Sequence, residues 1–174
     1  MKKLTFTIVG VLLAFFLIGC SKMDPVALVK GSTLDIDKSV TIGNAFDNYK
    51  YFKSVVWDAG QDEQKRQIVT FKGIYDPNKF AGSLYLINLE LTPEKIAKAL
   101  QANPGLEYSF VVQFKLAVDG KSFEVGFSGI HVSENENGKP SETEQQDENN
   151  QELQAVYQNQ PSPTVVGSLG IAGS

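Results

Sequence analysis

The chain has 174 residues, with 16 basic and 20 acidic side chains, one histidine and one cysteine. From residue 20 to 132 there are thirteen basic and thirteen acidic residues, and beyond 132 seven acidic residues stand against Lys139 alone. A neutral body excludes the phosphate-driven mode of nucleic-acid binding, which needs clustered Lys and Arg, and it offers no polybasic patch for anionic lipid heads.

Lys2 and Lys3 precede an uncharged run, LTFTIVGVLLAFFLIG, from Leu4 to Gly19. A basic start and an apolar stretch of this length form a secretory signal. The run is short of the roughly 20 apolar residues that a spanning helix needs, and it contains two glycines. It closes on Leu17-Ile18-Gly19-Cys20, which resembles the lipobox of bacterial lipoproteins. That resemblance implies cleavage before Cys20, a diacylglycerol on its thiol and acylation of the new amino group, a palmitate-type anchor. Ser21 in the next position implies export to the outer membrane, facing the periplasm; in a one-membrane bacterium the same signal implies the outer face of the plasma membrane. The lone cysteine is then an attachment point, and two or three acyl chains hold a protein on its membrane where a single chain does not.

Four segments are expected: the signal at 1–19, a lipidated tether at 20–38, one α+β domain at 39–132, and an acidic, mostly disordered tail at 133–174. In the domain, Thr41 is placed to cap a helix whose apolar face is Ile42, Ala45, Phe46 and Tyr49. Strand-like runs follow: SVVW from Ser54, IVTFKGIYD up to Asp76, and SLYLINLEL from Ser83 to Leu91. Thr92-Pro93-Glu94 marks a second helix start, with Ile96, Ala99 and Leu100 on its apolar face and Asn103-Pro104-Gly105 at its end. YSFVVQFKLAV and SFEVGFSGI then flank Asp119-Gly120, a hairpin signal. Phe110, Val112, Phe114, Leu116 and Val118 alternate on the first of these strands, and Phe123, Val125 and Phe127 on the second. The expectation is an antiparallel sheet of about five strands with two helices packed on one face.

TFKGIYD and GFSGIHV share Phe-x-Gly-Ile-ring, with Tyr75 and His131 as the rings. Each lies on the outgoing strand of a hairpin that follows a helix, so an αββ unit used twice is one reading, and chance likeness over five positions is the other. Gly73 and Gly129 read as shape residues, placed where a bulge, a backbone or a ring comes close. Beyond Ser133, SENENGKPSETEQQDENNQ has no aliphatic or aromatic residue, the composition of a segment unable to offset its ordering entropy. ELQAVYQ is an amphipathic turn or two, marginal as a free helix, and the last fourteen residues read as mobile.

Chemistry-bearing residues are sparse. One histidine and one cysteine build no zinc cluster, His131 has no nucleophile-elbow companion, and neither DPNKFAG nor DIDKS has calcium-loop spacing. No catalytic, metal or cofactor residue is assigned, although distant carboxylates can still meet in a fold, as in glycosidases. YKYFKSVVW supplies a possible binding surface at Tyr49, Tyr51 and Trp57, with Tyr51, Lys50 and Lys53 exposed; the competing reading has Tyr49, Phe52 and Trp57 filling the junction of helix and strand. The functional expectation is a lipid-anchored envelope protein acting as a non-enzymatic binding or accessory module, partnered by the membrane and an envelope component but not by nucleic acid. An envelope hydrolase, or an exclusion or immunity lipoprotein of a mobile element, is the alternative.

Overall fold

A computed structural model describes residues 24–86, 89–136 and 139–174. The signal, Cys20 and most of the short link to residue 24 lie outside the described residues. The first helix, α1 (Pro25–Gly31), starts on Asp24, whose carboxylate accepts the Val26 N–H. Val29 of this helix is fully buried, so residues 25–31 belong to the body rather than to the tether expected over 20–38. Thr41 caps α2 (Ile42–Asp47) through the Asn44 N–H, as the sequence indicates. Strands β1 (Phe52–Gln61) and β2 (Gln67–Tyr75) follow, joined by a turn in which Asp62 accepts the N–H groups of Gln64 and Arg66.

After a 3-10 turn (Pro77–Phe80), the run expected as a third sheet strand does not enter the sheet. It folds back on itself as β3 (Leu84–Leu86) and β4 (Leu89–Glu90), a separate two-stranded pair. Local pairing closes a very short loop, which costs little chain entropy. Leu91 N–H donates to Ser83 O at 2.7 Å and Gly82, at φ 86°, donates to Leu91 O at 3.0 Å, which clasps the base of that hairpin. Helix α3 (Pro93–Ala102) has the expected start, with Thr92 accepting the Lys95 N–H, and it stops at Asn103.

Strands β5 (Glu107–Leu116) and β6 (Phe123–Glu136) form the Asp119-Gly120 hairpin, with Gly120 at φ 65°. The fold is α+β, and its antiparallel sheet has five strands in the order β1-β2-β5-β6-β7. The fifth strand is β7 (Lys139–Gln146), drawn from the stretch expected to be disordered. β6 runs unbroken through residue 133, so the expected boundary there is absent. Beyond it α4 (Gln151–Tyr157) and α5 (Pro163–Ala172) place Leu153, Val156, Val165, Val166 and Leu169 in the core, each no more than 3 % exposed. The acidic run is ordered because backbone pairing with β6 needs no apolar side chain, while the burial is supplied by the two helices that follow.

Phe46 of α2 lies at the centre of the core, with ring centroids 4.7 Å from Phe71, 6.2 Å from Phe110, 6.3 Å from Phe114 and 6.1 Å from Tyr157. The same face of the sheet carries Val69, Val112 and Ile130. Between Gln113 and Phe114 the register of β5 against β6 shifts, so Gly126 is an extra residue. A bulge of this kind turns the following side chains to the other face. Phe123 and Val125 therefore lie on the core side, opposite Leu116 and Phe114, whereas Phe127 lies opposite Gln113; the three do not form one face as expected.

Candidate functional site

The aromatic run from Tyr49 is part of the core, not an open surface. Tyr49 and Tyr51 are buried and Trp57 is half-buried. The Tyr49 hydroxyl donates to Gln160 O at 2.7 Å, and the Lys50 N–H donates to Asn159 Oδ1 at 3.1 Å. The C-terminal segment thus lies over the junction and covers Tyr49, and Tyr51 is closed off by the Phe80 ring, 4.7 Å away. The expected exposure of Tyr51 is corrected for that reason, while Lys50, Lys53, Ser54 and Val56 of the run are exposed. Trp57 Nε1 donates to Asp47 Oδ1 at 2.8 Å, Lys30 pairs with the same carboxylate and its Nζ stands 5.3 Å from the indole centroid. Of the other assigned residue, Cys20, the described residues include nothing.

The two Phe-x-Gly-Ile stretches face opposite ways. Gly73 lies opposite Phe110, and Gly129 opposite Val111, the next residue of β5. A Cβ on Gly73 would meet the Phe52 ring at 2.5 Å, and one on Gly129 would meet the Phe127 ring at 2.7 Å and Gln145 O at 2.6 Å. Both glycines are the shape residues the sequence suggests. Ile74 is half-buried on the outer face while Ile130 is in the core, so the repeated letters occupy unlike positions even though helix and hairpin do recur in order.

The outer face of the sheet is formed by the alternate residues: Val56 beside Lys72 and Val111, then Thr70, Gln113 and Phe127. Val56 is 55 % exposed and Lys72 is exposed. His131 is on this face at the β7 side, its Nε2 2.7 Å from Glu144 Oε2 and its ring 6.0 Å from that of Phe127.

A second feature carries more polar chemistry, and composition gave no signal for it. At the corner from β7 into α4 and α5, Asp147 Oδ1 accepts the Gln151 N–H at 2.7 Å, and its Oδ2 accepts those of Glu152 and Leu153 at 3.1 Å each. Asn150, at φ 54°, makes no capping bond itself, so Asp147 satisfies the first turn of α4. Glu152 is 3 % exposed, and its Oε1 accepts the Thr164 N–H at the start of α5 at 3.1 Å, where the helix dipole favours an anion. Glu152 Oε2 is enclosed and has no hydrogen-bond partner among the described residues. Burial holds the Tyr49 and Tyr75 hydroxyls well above the usual tyrosine range, and the Glu152 carboxylate adds to the shift of both. A cavity of about 350 Å³ opens at this corner, lined in part by Gln145, Gln146, Asp147, Glu148, Glu152 and Thr164. No protein-family model, no curated protein and no solved structure matches the chain.

Proposed function

We propose that this chain is a lipid-anchored protein of the bacterial envelope, held at the outer membrane by acyl chains on Cys20 and facing the periplasm. Its folded body serves as a non-enzymatic binding or accessory module for a protein or another envelope component. The observation that carries the reading is the uncharged run from Leu4 that closes on Leu17-Ile18-Gly19-Cys20. The start of α1 at Pro25 supports it. Five residue steps from Cys20 reach at most about 18 Å, so the body would stand close against the bilayer. The exposed outer sheet face around Val56 and Lys72 suits contact with a partner there.

The anchor is tested by intact mass of the protein extracted from membranes. Loss of residues 1–19 with a gain of acyl mass is expected, and Cys20→Ser should leave an unacylated chain in the soluble fraction. Retention of Met1, or reaction of Cys20 with a thiol reagent, would overturn the reading. The non-enzymatic part is tested separately: a hydrolase built on this chain's one histidine would lose its envelope phenotype in His131→Ala. On the present reading that variant keeps the phenotype, whereas Val56→Asp combined with Lys72→Glu loses it with the fold intact by circular dichroism.

A further inference from the structure

The two edges of the five-stranded sheet are unlike. β7 carries Lys139, Pro140, Glu142 and Glu144, and proline and charge are what keep an edge from pairing with another chain. β1 is guarded far less. From Ser54 to Gln61 its one charged residue is Asp58, and Val56 is 55 % exposed. Over that span the strand is bonded to β2 on one side and, among the described residues, to nothing on the other. Lys53, the one lysine of the strand, is turned across β2 onto Glu107 of β5 at 3.1 Å, away from the free edge. Open N–H and C=O groups along a strand of ten residues are a template for one strand more.

What fits that edge follows from the strand itself. Its outer-face residues are Ser54, Val56, Asp58 and Gly60, all exposed, while Val55 and Trp57 face the core side. An antiparallel copy in the same sheet sets like face beside like face, so its allowed registers are two residues apart. With Val56 opposite Val56, Ser54 stands opposite Asp58 on both sides of the centre, a hydroxyl donor beside a carboxylate, and no like charges oppose each other. A slip by two residues either way sets Val56 against Ser54 or Asp58 and loses both matches. We propose that β1 pairs with β1 of a second copy, antiparallel and centred on Val56, making one continuous sheet through both bodies. The contact is isologous and closes as a dimer. Its two-fold axis is normal to the sheet, and α1 and α2 lie on the core side of β1, where Lys30 and Phe46 reach the Trp57 ring. Both α1 helices therefore lie on one side of the shared sheet, so two copies anchored through Cys20 hang from one bilayer at raised effective concentration. That gain rests on the anchor; the pairing rests on the body alone.

The test uses the full chain in detergent with Cys20→Ser, which removes the one other thiol and makes the result independent of acylation. A strand-pair contact is small, below about 1,200 Å², so a dimer with Kd of about 10–100 μM is expected by sedimentation equilibrium. Val56→Asp and Val56→Lys each set like charges opposite one another at the centre and should weaken the dimer at least about tenfold. Mixed in equal amounts, the two variants should associate again. Val56→Cys should oxidise to a disulfide-linked dimer, because opposed residues have Cα atoms about 4.5–5.5 Å apart. Lys72→Cys, one strand further in on each side and about 14 Å from its counterpart, should not. A monomer at about 300 μM, well above that range, would overturn the proposal and leave the edge to a different chain. Undiminished association of the charged variants, a mixture that stays monomeric, or cross-linking through Lys72→Cys in place of Val56→Cys would overturn it as well.

Discussion

Gly129 is a residue whose absent side chain is itself a structural feature. An added Cβ would lie 2.6 Å from Gln145 O, a backbone atom held in the β6–β7 ladder, and 2.7 Å from the Phe127 ring. A ring can turn, but a paired backbone cannot move without its neighbours. Gly129→Ala should therefore lower stability by about 1–3 kcal/mol, the usual cost of overpacking. Gly60, with nothing within 4 Å of an added Cβ, is the matched control and should change by less than about 0.5 kcal/mol when replaced by Ala. Urea denaturation of the two variants side by side measures the difference; equal effects would mean that the β6–β7 ladder yields. Trp57 makes a related point, since its indole N–H is committed to Asp47 and its ring to Phe46 and Phe71. A polar handle on an aromatic residue is as well used inside a fold as at a recognition surface.

At the scale of elements, α4 and α5 matter most because they come last in the chain and lie in the core. Leu153, Val156, Val165, Val166 and Leu169 are five aliphatic side chains, each worth about 1.5–3 kcal/mol when fully buried. Their sum is roughly as large as the whole stability of a small domain, about 5–15 kcal/mol. A chain ending at Gln146 should accordingly lose cooperative unfolding, observed as loss of the thermal transition and digestion by a protease that leaves the full chain intact. A truncated chain that still melts sharply would show the two helices to be accessory. Their starts are already specified locally: Asp147 satisfies three N–H groups of α4, and Ser162 Oγ accepts the Val165 N–H of α5 at 3.1 Å. Such caps are visible in the sequence as an acid or hydroxyl ahead of an apolar run, but an isolated seven-residue helix is too short to persist without tertiary packing. The hairpin of β3 and β4 shows the same limit from the other side, because strand propensity says nothing about which edge a strand will find.

For the whole molecule, the buried tyrosines set the response to alkali. Burial raises the Tyr49 and Tyr75 hydroxyls well above the usual range, and burial raises that of Tyr157 to about 12. In the unfolded chain they ionise near pH 10, so above that pH the folded state binds more protons than the unfolded one and stability falls as pH rises. The stabilisation should be constant from about pH 7 to 9 and then decline by up to about 1.4 kcal/mol per pH unit for each tyrosine still protonated in the fold. Urea midpoints across pH 8 to 12 check this, and a flat profile would show that those hydroxyls reach water. Local signals in the chain determined the α+β class, the caps at Thr41 and Thr92, the Asp119-Gly120 hairpin and the shape role of two glycines, because each depends on residues within a few positions of one another. Tertiary structure alone decided that the acidic stretch pairs as β7, that Tyr49 and Tyr51 lie inside, and that Glu152 meets the start of α5. Tyr49 is covered by Gln160, 111 positions along the chain, and Glu152 bonds Thr164 at the start of the next helix, while β7 pairs with its neighbour β6 through backbone groups that any side chain permits; local composition registers neither a tertiary cover nor backbone pairing.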